Sequence, residues 1–267
     1  MPEITGEEIK NALNAASRQV IGNLEQFTSR FPKAYSQNGF YEAVDNVDWT
    51  PGFWTGEEIY RTVAQKHIKT ALANVIRPDF STWHTFFFDP ETGKPDHGAT
   101  CQGYRDGSAW ARGQAWGIYG TAIGFRYTKE PAYLPVFRGV TDYFLRHLPE
   151  DLVPYWDLEF GDGDPEPRDS SSASIAACGM LEMAKYLEEP EAGYYRKIAR
   201  KIMKSLVDRY RVKDEKESNG LVLHSTYSNH SPYNTCNHYG VDECNLWGDY
   251  FYMEALTRLS KDWEVYW

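Results

Sequence analysis

Trp110-Ala-Arg-Gly-Gln-Ala-Trp-Gly-Ile-Tyr-Gly-Thr-Ala-Ile-Gly-Phe-Arg-Tyr127 decides the fold, because it has a helical pattern and almost no charged face. Gly113, Gly117 and Gly124 sit among Trp116, Ile118, Tyr119 and Ile123. A helix that is apolar nearly all round must be buried, and small residues let its neighbours approach closely. The spacing therefore predicts an inner helix at about 110–127. Downstream the character alternates. Leu134, Phe137, Val140, Phe144 and Leu148 form a single stripe, predicting an outer helix near 132–148. Ala173, Ile175, Ala176, Cys178, Gly179, Leu181 and Ala184 predict an inner one near 170–187. An amphipathic stretch near 191–211 is outer again, and Trp247, Tyr250, Phe251, Met253 and Leu256 make 246–260 inner. Such alternation is how helical hairpins build a double ring. The expected class is all-α, an (α/α) toroid.

Upstream the alternation breaks. Thr5-Gly-Glu-Glu8 is a capping box opening a helix over 6–28, and Pro32 closes it. Thr55-Gly-Glu-Glu58 repeats the signature and starts a second amphipathic helix that ends before Pro78. Both are outer in character and directly successive, so an inner partner is absent between them. Thr85-Phe-Phe-Phe-Asp89 and Leu221-Val-Leu223 are expected as short strands at the mouth of the ring. Residues 1–267 thus make one domain of about seven long helices.

A net charge of −10 argues against nucleic acid and anionic membrane surfaces as partners, since both require a positive field. No run of eighteen apolar residues spans a bilayer. The start, Met1 to Glu8, is acidic where a signal peptide is basic and then apolar, so a cytoplasmic location is expected. Four cysteines without a CxxC pair suit a reducing compartment. His230, Cys236, His238 and Cys244 match no standard ligand spacing, and neither a metal nor another cofactor is expected.

Aromatic residues reach 15%, enough to pave a ligand groove as well as a core. They cluster in four segments: 45–54, 83–90, 102–120 and 245–252. Each mixes Trp with an amide, carboxylate, His or Arg beside glycine. Sugar sites need that mixture, because C–H faces stack on indole rings while hydroxyls require fixed donors and acceptors. A tryptophan-lined polar cleft for carbohydrate follows.

These four segments, the Arg168-Asp169-Ser-Ser-Ser-Ala-Ser174 helix start and the C-terminal Lys261-Asp-Trp-Glu-Val-Tyr-Trp267 resemble the unsaturated glucuronyl hydrolases, glycoside hydrolase family 88. The resemblance implies six helical hairpins in an (α/α)6 barrel, with the sugar in a deep pocket at one end. It places sugar-stacking and uronate-binding positions at Trp49, His84, Gln102, Trp110, Trp116 and Tyr227, with Arg112 as carboxylate partner. Ser228-Asn-His-Ser231 resembles the region that meets a neighbouring sulfated or acetylated sugar, although Tyr233 replaces the basic residue expected soon after it.

The chemistry implied is hydration of a vinyl ether: an aspartate protonates C4 of a 4,5-unsaturated uronic acid, water adds at C5, and the hemiketal opens. Such a carboxyl needs a raised pKa, which a desolvating pocket supplies. Both family aspartates lie between the Asp48-Trp-Thr-Pro-Gly-Phe-Trp-Thr-Gly56 motif and the helix that here begins at Glu57. Thr55-Gly56 instead runs straight into residues resembling a later helix, which removes about five helices, on the order of a hundred residues. The expected fold is accordingly an incomplete barrel, an open arc whose exposed apolar flanks favour self-association. No residue is assigned a catalytic role. Asp48, Asp106, Asp157 and Asp249 read as caps and loop hydrogen-bonders. The expected ligand is an unsaturated uronic-acid oligosaccharide, bound with little or no turnover.

Overall fold

The computed structural model describes residues 2–27, 31–32, 35–44, 58–214 and 216–262. Their helices are α1 (Gly6–Phe27), α2 (Glu58–Val75), α3 (Ala111–Thr128), α4 (Tyr133–Arg146), α5 (Ser170–Met183), α6 (Glu191–Ser205) and α7 (Leu246–Ser260). A π-helical turn, Leu206–Tyr210, prolongs α6. Two antiparallel pairs complete the set: β1 (Phe31–Pro32) with β2 (Ala43–Val44), and β3 (Thr85–Phe88) with β4 (Pro95–Ala99). Asp48, Trp49 and residues 55–57 of the expected junction lie outside the described residues.

α3, α5 and α7 form an inner row in which α5 packs along both of its neighbours. Every residue of α5 is buried, as its Ser, Ala, Cys and Gly content demands. Close approach is built in by glycine. A Cβ on Gly179 would lie 2.9 Å from the backbone of Tyr119 on α3, and one on Gly248 would lie 3.1 Å from Cβ of Ser171. The three helices run parallel. Arg112 at the start of α3 reaches Asp169 at the start of α5, while Arg126 and Arg258 at the ends of α3 and α7 converge on Glu182.

The outer row is α4 against α3, α6 against α5 and α1 against α7. Each turns one stripe inward: Tyr133, Phe137, Val140 and Phe144 from α4, Ala192, Tyr195, Ala199, Ile202 and Met203 from α6, and Ile9, Ala12 and Ala16 from α1. A fully buried side chain such as Phe137 contributes roughly 1.5–3 kcal/mol. The capping box of α1 forms, with the Glu8 N–H donating to Thr5 Oγ1 at 3.2 Å and the Thr5 N–H to Glu8 Oε2 at 2.7 Å. Glu8 also pairs with Lys204 of α6 at 2.9 Å. That link ties the beginning of the chain to α6, and the α1–α7 contact ties it to the last inner helix.

Among the described residues the opposite flank is less covered. Ile68, Leu72 and Val75 of α2 are only half-buried. Across from them α3 offers Gly113, Gly117 and Gly120, and a Cβ at Gly120 would meet nothing within 4 Å. The expected strand at 85–89 forms, with a register irregularity between Phe86 and Phe88. The one expected at 221–223 is a single bridge between Val222 and Arg211, closed by Val212 N–H to the Leu221 carbonyl and Leu223 N–H to the Tyr210 carbonyl, while the Val222 N–H on the other edge donates to Asp249 Oδ1 at 3.0 Å. No described helix is long and apolar enough to cross a membrane.

Candidate sugar-binding mouth

At the N-terminal end of the inner row, Asp169 and Asn245 cap α5 and α7, accepting from the Ser171 and Gly248 N–H groups at 3.2 and 2.7 Å. Trp110 precedes α3 there, and the Ala111 N–H donates to the Trp156 carbonyl at 3.1 Å. The cap of α5 does further work. Asp169 Oδ2 accepts from Arg112 Nη1 at 3.0 Å and from the Ser172 hydroxyl at 2.7 Å, so a helix cap also neutralises a buried cation.

Arg112 is buried at 2% exposure. Its Nη1 donates to the Thr226 carbonyl and its Nη2 to the Tyr227 carbonyl, both at 2.6 Å. The rings of Trp110 and Trp247 face the guanidinium at 4.5 and 5.1 Å, a cation–π arrangement that desolvation strengthens. Burial pulls the Arg112 pKa down and Asp169 opposes that pull. The guanidinium thereby fastens residues 226–227 to the helix starts. Tyr227 is held with it, stacked on Tyr35 at 5.0 Å and tilted against Trp247 at 5.4 Å. Gln102 Nε2 donates to the same Tyr227 carbonyl at 3.3 Å.

His84 sits beside this group, its ring 4.4 Å from Trp110. Its Nδ1 accepts two backbone N–H groups, from Cys101 and Gln102, each at 2.9 Å. Desolvation, then the nearby Arg112 charge, pushes its pKa down to about 4. His84, Trp110 and Trp116 line one cleft of about 480 Å³ between α2 and α3, with Trp83 and Thr82 on its rim. That volume falls in the usual range for small-ligand pockets. Trp116 is 37% exposed, so its indole face is accessible.

The remaining expected residues divide. Ser228 donates its hydroxyl to the Asn237 carbonyl at 2.8 Å and Ser231 donates to the Tyr104 carbonyl at 2.5 Å, so both protons are spent on backbone carbonyls. Asp106 accepts from the Thr100 N–H, Asp157 from the Tyr104 N–H and Ser108 hydroxyl, and Asp249 from the Tyr41 hydroxyl and Val222 N–H. Burial raises Asp157 and lifts Asp249 to about 7, yet neither lines the cleft. Residue-by-residue reading missed Asp169 and Trp247 as site members. The Asp-Ser-Ser start of α5 was the available signal for the first, and the aromatic segment 245–252 for the second.

No family model matches the chain. A curated unsaturated chondroitin disaccharide hydrolase of Streptococcus agalactiae is 49% identical over 215 residues, which are 80% of this chain and 52% of that protein. A crystal structure of unsaturated glucuronyl hydrolase from the same species superposes with a TM-score of 0.92 at 32% identity, covering 100% of this chain and 95% of the other. The chain belongs to the unsaturated glucuronyl hydrolases. Its two-layered helices match the helical toroid of that family. An Asp-to-Asn variant of the streptococcal glucuronyl hydrolase, complexed with dGlcA-GalNAc6S, superposes with a TM-score of 0.89 at 34% identity, over 100% of this chain and 95% of the other. The chain spans about half the length of the curated unsaturated chondroitin disaccharide hydrolases it matches.

Proposed function

We propose that the mouth recognises the 4,5-unsaturated uronic acid at the non-reducing end of a glycosaminoglycan-type oligosaccharide, and that this chain as it stands binds the sugar without hydrolysing it. One arrangement carries the reading: His84, Trp110 and Trp116 share a cleft whose edge is organised by Arg112, Gln102 and Tyr227. Trp116 offers a face for sugar C–H groups, the buried Trp110 backs His84 and Arg112, His84 and Gln102 offer polar atoms, and Arg112 supplies positive charge behind them. The disaccharide complex of the streptococcal relative supports this ligand class.

The absence of turnover rests on chemistry. Protonating C4 of a vinyl ether requires a carboxylic acid at the sugar, and among the described residues no carboxylate lines the cleft. An internal junction at 55–58, where the family's catalytic aspartates would otherwise lie, accounts for this. It is supported by a sequence match taking 52% of the curated streptococcal relative while the superposition spans 95% of the solved one. The half-buried flank of α2 favours self-association, and four free thiols fit a cytoplasmic setting.

Titration calorimetry with an unsaturated chondroitin disaccharide tests the reading. Heat of binding is expected with no loss of the double bond's ultraviolet absorbance over hours. Turnover abolished by Asp249→Asn or Asp157→Asn would overturn the inactive assignment, and absence of heat would overturn the site.

A further inference from the structure

We propose that His84 is locked as the Nε2–H tautomer and serves the cleft as a permanent hydrogen-bond donor, never as a proton carrier. Two N–H groups, from consecutive residues Cys101 and Gln102, aim at Nδ1 from 2.9 Å. Both can be accepted only by an unprotonated ring nitrogen with its lone pair in place, so the ring proton resides on Nε2. Nε2 has no protein partner among the described residues, and the ring it belongs to lines the cleft.

Charging the ring would put a third N–H against two others. The groups facing it offer no compensation. Arg112 lies behind the Trp110 ring and adds like charge. His67 of α2 lines the other wall of the cleft, and no carboxylate does so among the described residues. Asp106, six residues along from Thr100, is engaged by the Thr100 N–H at 2.9 Å. Burial and Arg112 accordingly hold the His84 pKa at about 4, so the donor persists throughout the neutral range.

A fixed donor selects its ligand. The atom opposite Nε2 must be an acceptor, such as a carboxylate oxygen or a hydroxyl lone pair, and a protonated amino sugar is disfavoured there. Proton transfer to a bound sugar must come from another group. Identifying the acceptor as part of a uronic acid rests on the function proposed above; the tautomer does not.

Nitrogen-15 NMR of the whole chain reads both halves separately, with the His84 signal assigned through its contact with the Trp110 ring. The expected spectrum shows one Nε2–H tautomer from pH 5 to 8, with protonation only near pH 4. A Nδ1–H pattern, or a midpoint near the ordinary histidine value of about 6.5, would overturn the proposal. Adding unsaturated chondroitin disaccharide at neutral pH should shift Nε2 and leave Nδ1 nearly still. If the tautomer is as expected but Nε2 ignores the disaccharide, donation to this sugar is refuted and the uronate reading fails, while the locked ring stands.

Discussion

The inner helices carry a buried ionic cluster at each end, and the two are built differently. At the mouth, Arg112 has one carboxylate partner, Asp169, and spends its other donors on the carbonyls of Thr226 and Tyr227. At the far end, Glu182 takes Arg258, Arg126 and Lys185, and Glu254 takes Arg258 at 2.8 Å. The far cluster joins helix to helix and closes on itself. Against the desolvation of its buried site, Arg258 and Arg126 pull the Glu182 pKa down to about 2. The mouth cluster joins helix starts to a loop, so helix packing and the placing of Tyr227 become one event. A buried pair that binds backbone carbonyls organises a site, whereas one that binds only side chains organises a core.

The largest effect should come from Glu182→Leu, which leaves Arg258, at 1% side-chain exposure, with Glu254 alone and takes the carboxylate from Arg126. Breaking such a network costs about 3–5 kcal/mol. Urea unfolding should register that loss while disaccharide affinity in the folded fraction stays as in the parent; an equal loss of affinity would erase the distinction between the ends. Asp169→Asn should cost less, about 1.5–3 kcal/mol for weakening a charge-assisted hydrogen bond, but should also lower disaccharide affinity because residues 226–227 lose their anchor. Calorimetry on this variant that shows unchanged affinity would break the proposed coupling.

Asp249 sharpens the comparison as a buried carboxyl near the mouth held by hydrogen bonds from the Tyr41 hydroxyl and the Val222 N–H. Its pKa rises from 3.8 to about 7, so the folded state binds its proton more tightly than the unfolded one. Stability from this group is therefore greatest at low pH and is lost as pH rises from about 4 through about 7. Asp249→Asn should flatten that decline in Tm, measured by circular dichroism across the same interval; a decline as steep as the parent's would place the titration elsewhere.

The helices were legible because burial imposes a period. An apolar stripe, or its spread around a whole helix as at 110–127, records how many neighbours each helix has. The expected inner and outer assignments of α3 to α7 follow that logic, with ends within a few residues of those predicted. At 221–223 the strand is no more than one bridge to Arg211, since a short apolar run does not reveal how far its partner continues. The mouth was legible as residue types but not as roles. Arg112, His84 and the serines at 228 and 231 look equally available in the sequence, and only coordinates reveal that loop carbonyls consume the serine protons while two amides fix His84. Such hydrogen bonds link positions far apart in the chain and leave no local pattern.

The parallel run of α3, α5 and α7 has an electrical consequence. Each helix carries roughly half a positive charge at its N-terminus, and three such termini share the rim that holds Arg112. In a chain with net charge −10 these termini offset part of the negative charge that Asp169 and Asp249 bring to one opening. The carboxylated ligand proposed above would meet that opening against the repulsion of the rest of the surface. Because surface repulsion is screened by salt over about 8–10 Å while buried dipoles are screened far less, added salt should hinder its capture less than it hinders capture by an exposed cluster of lysines.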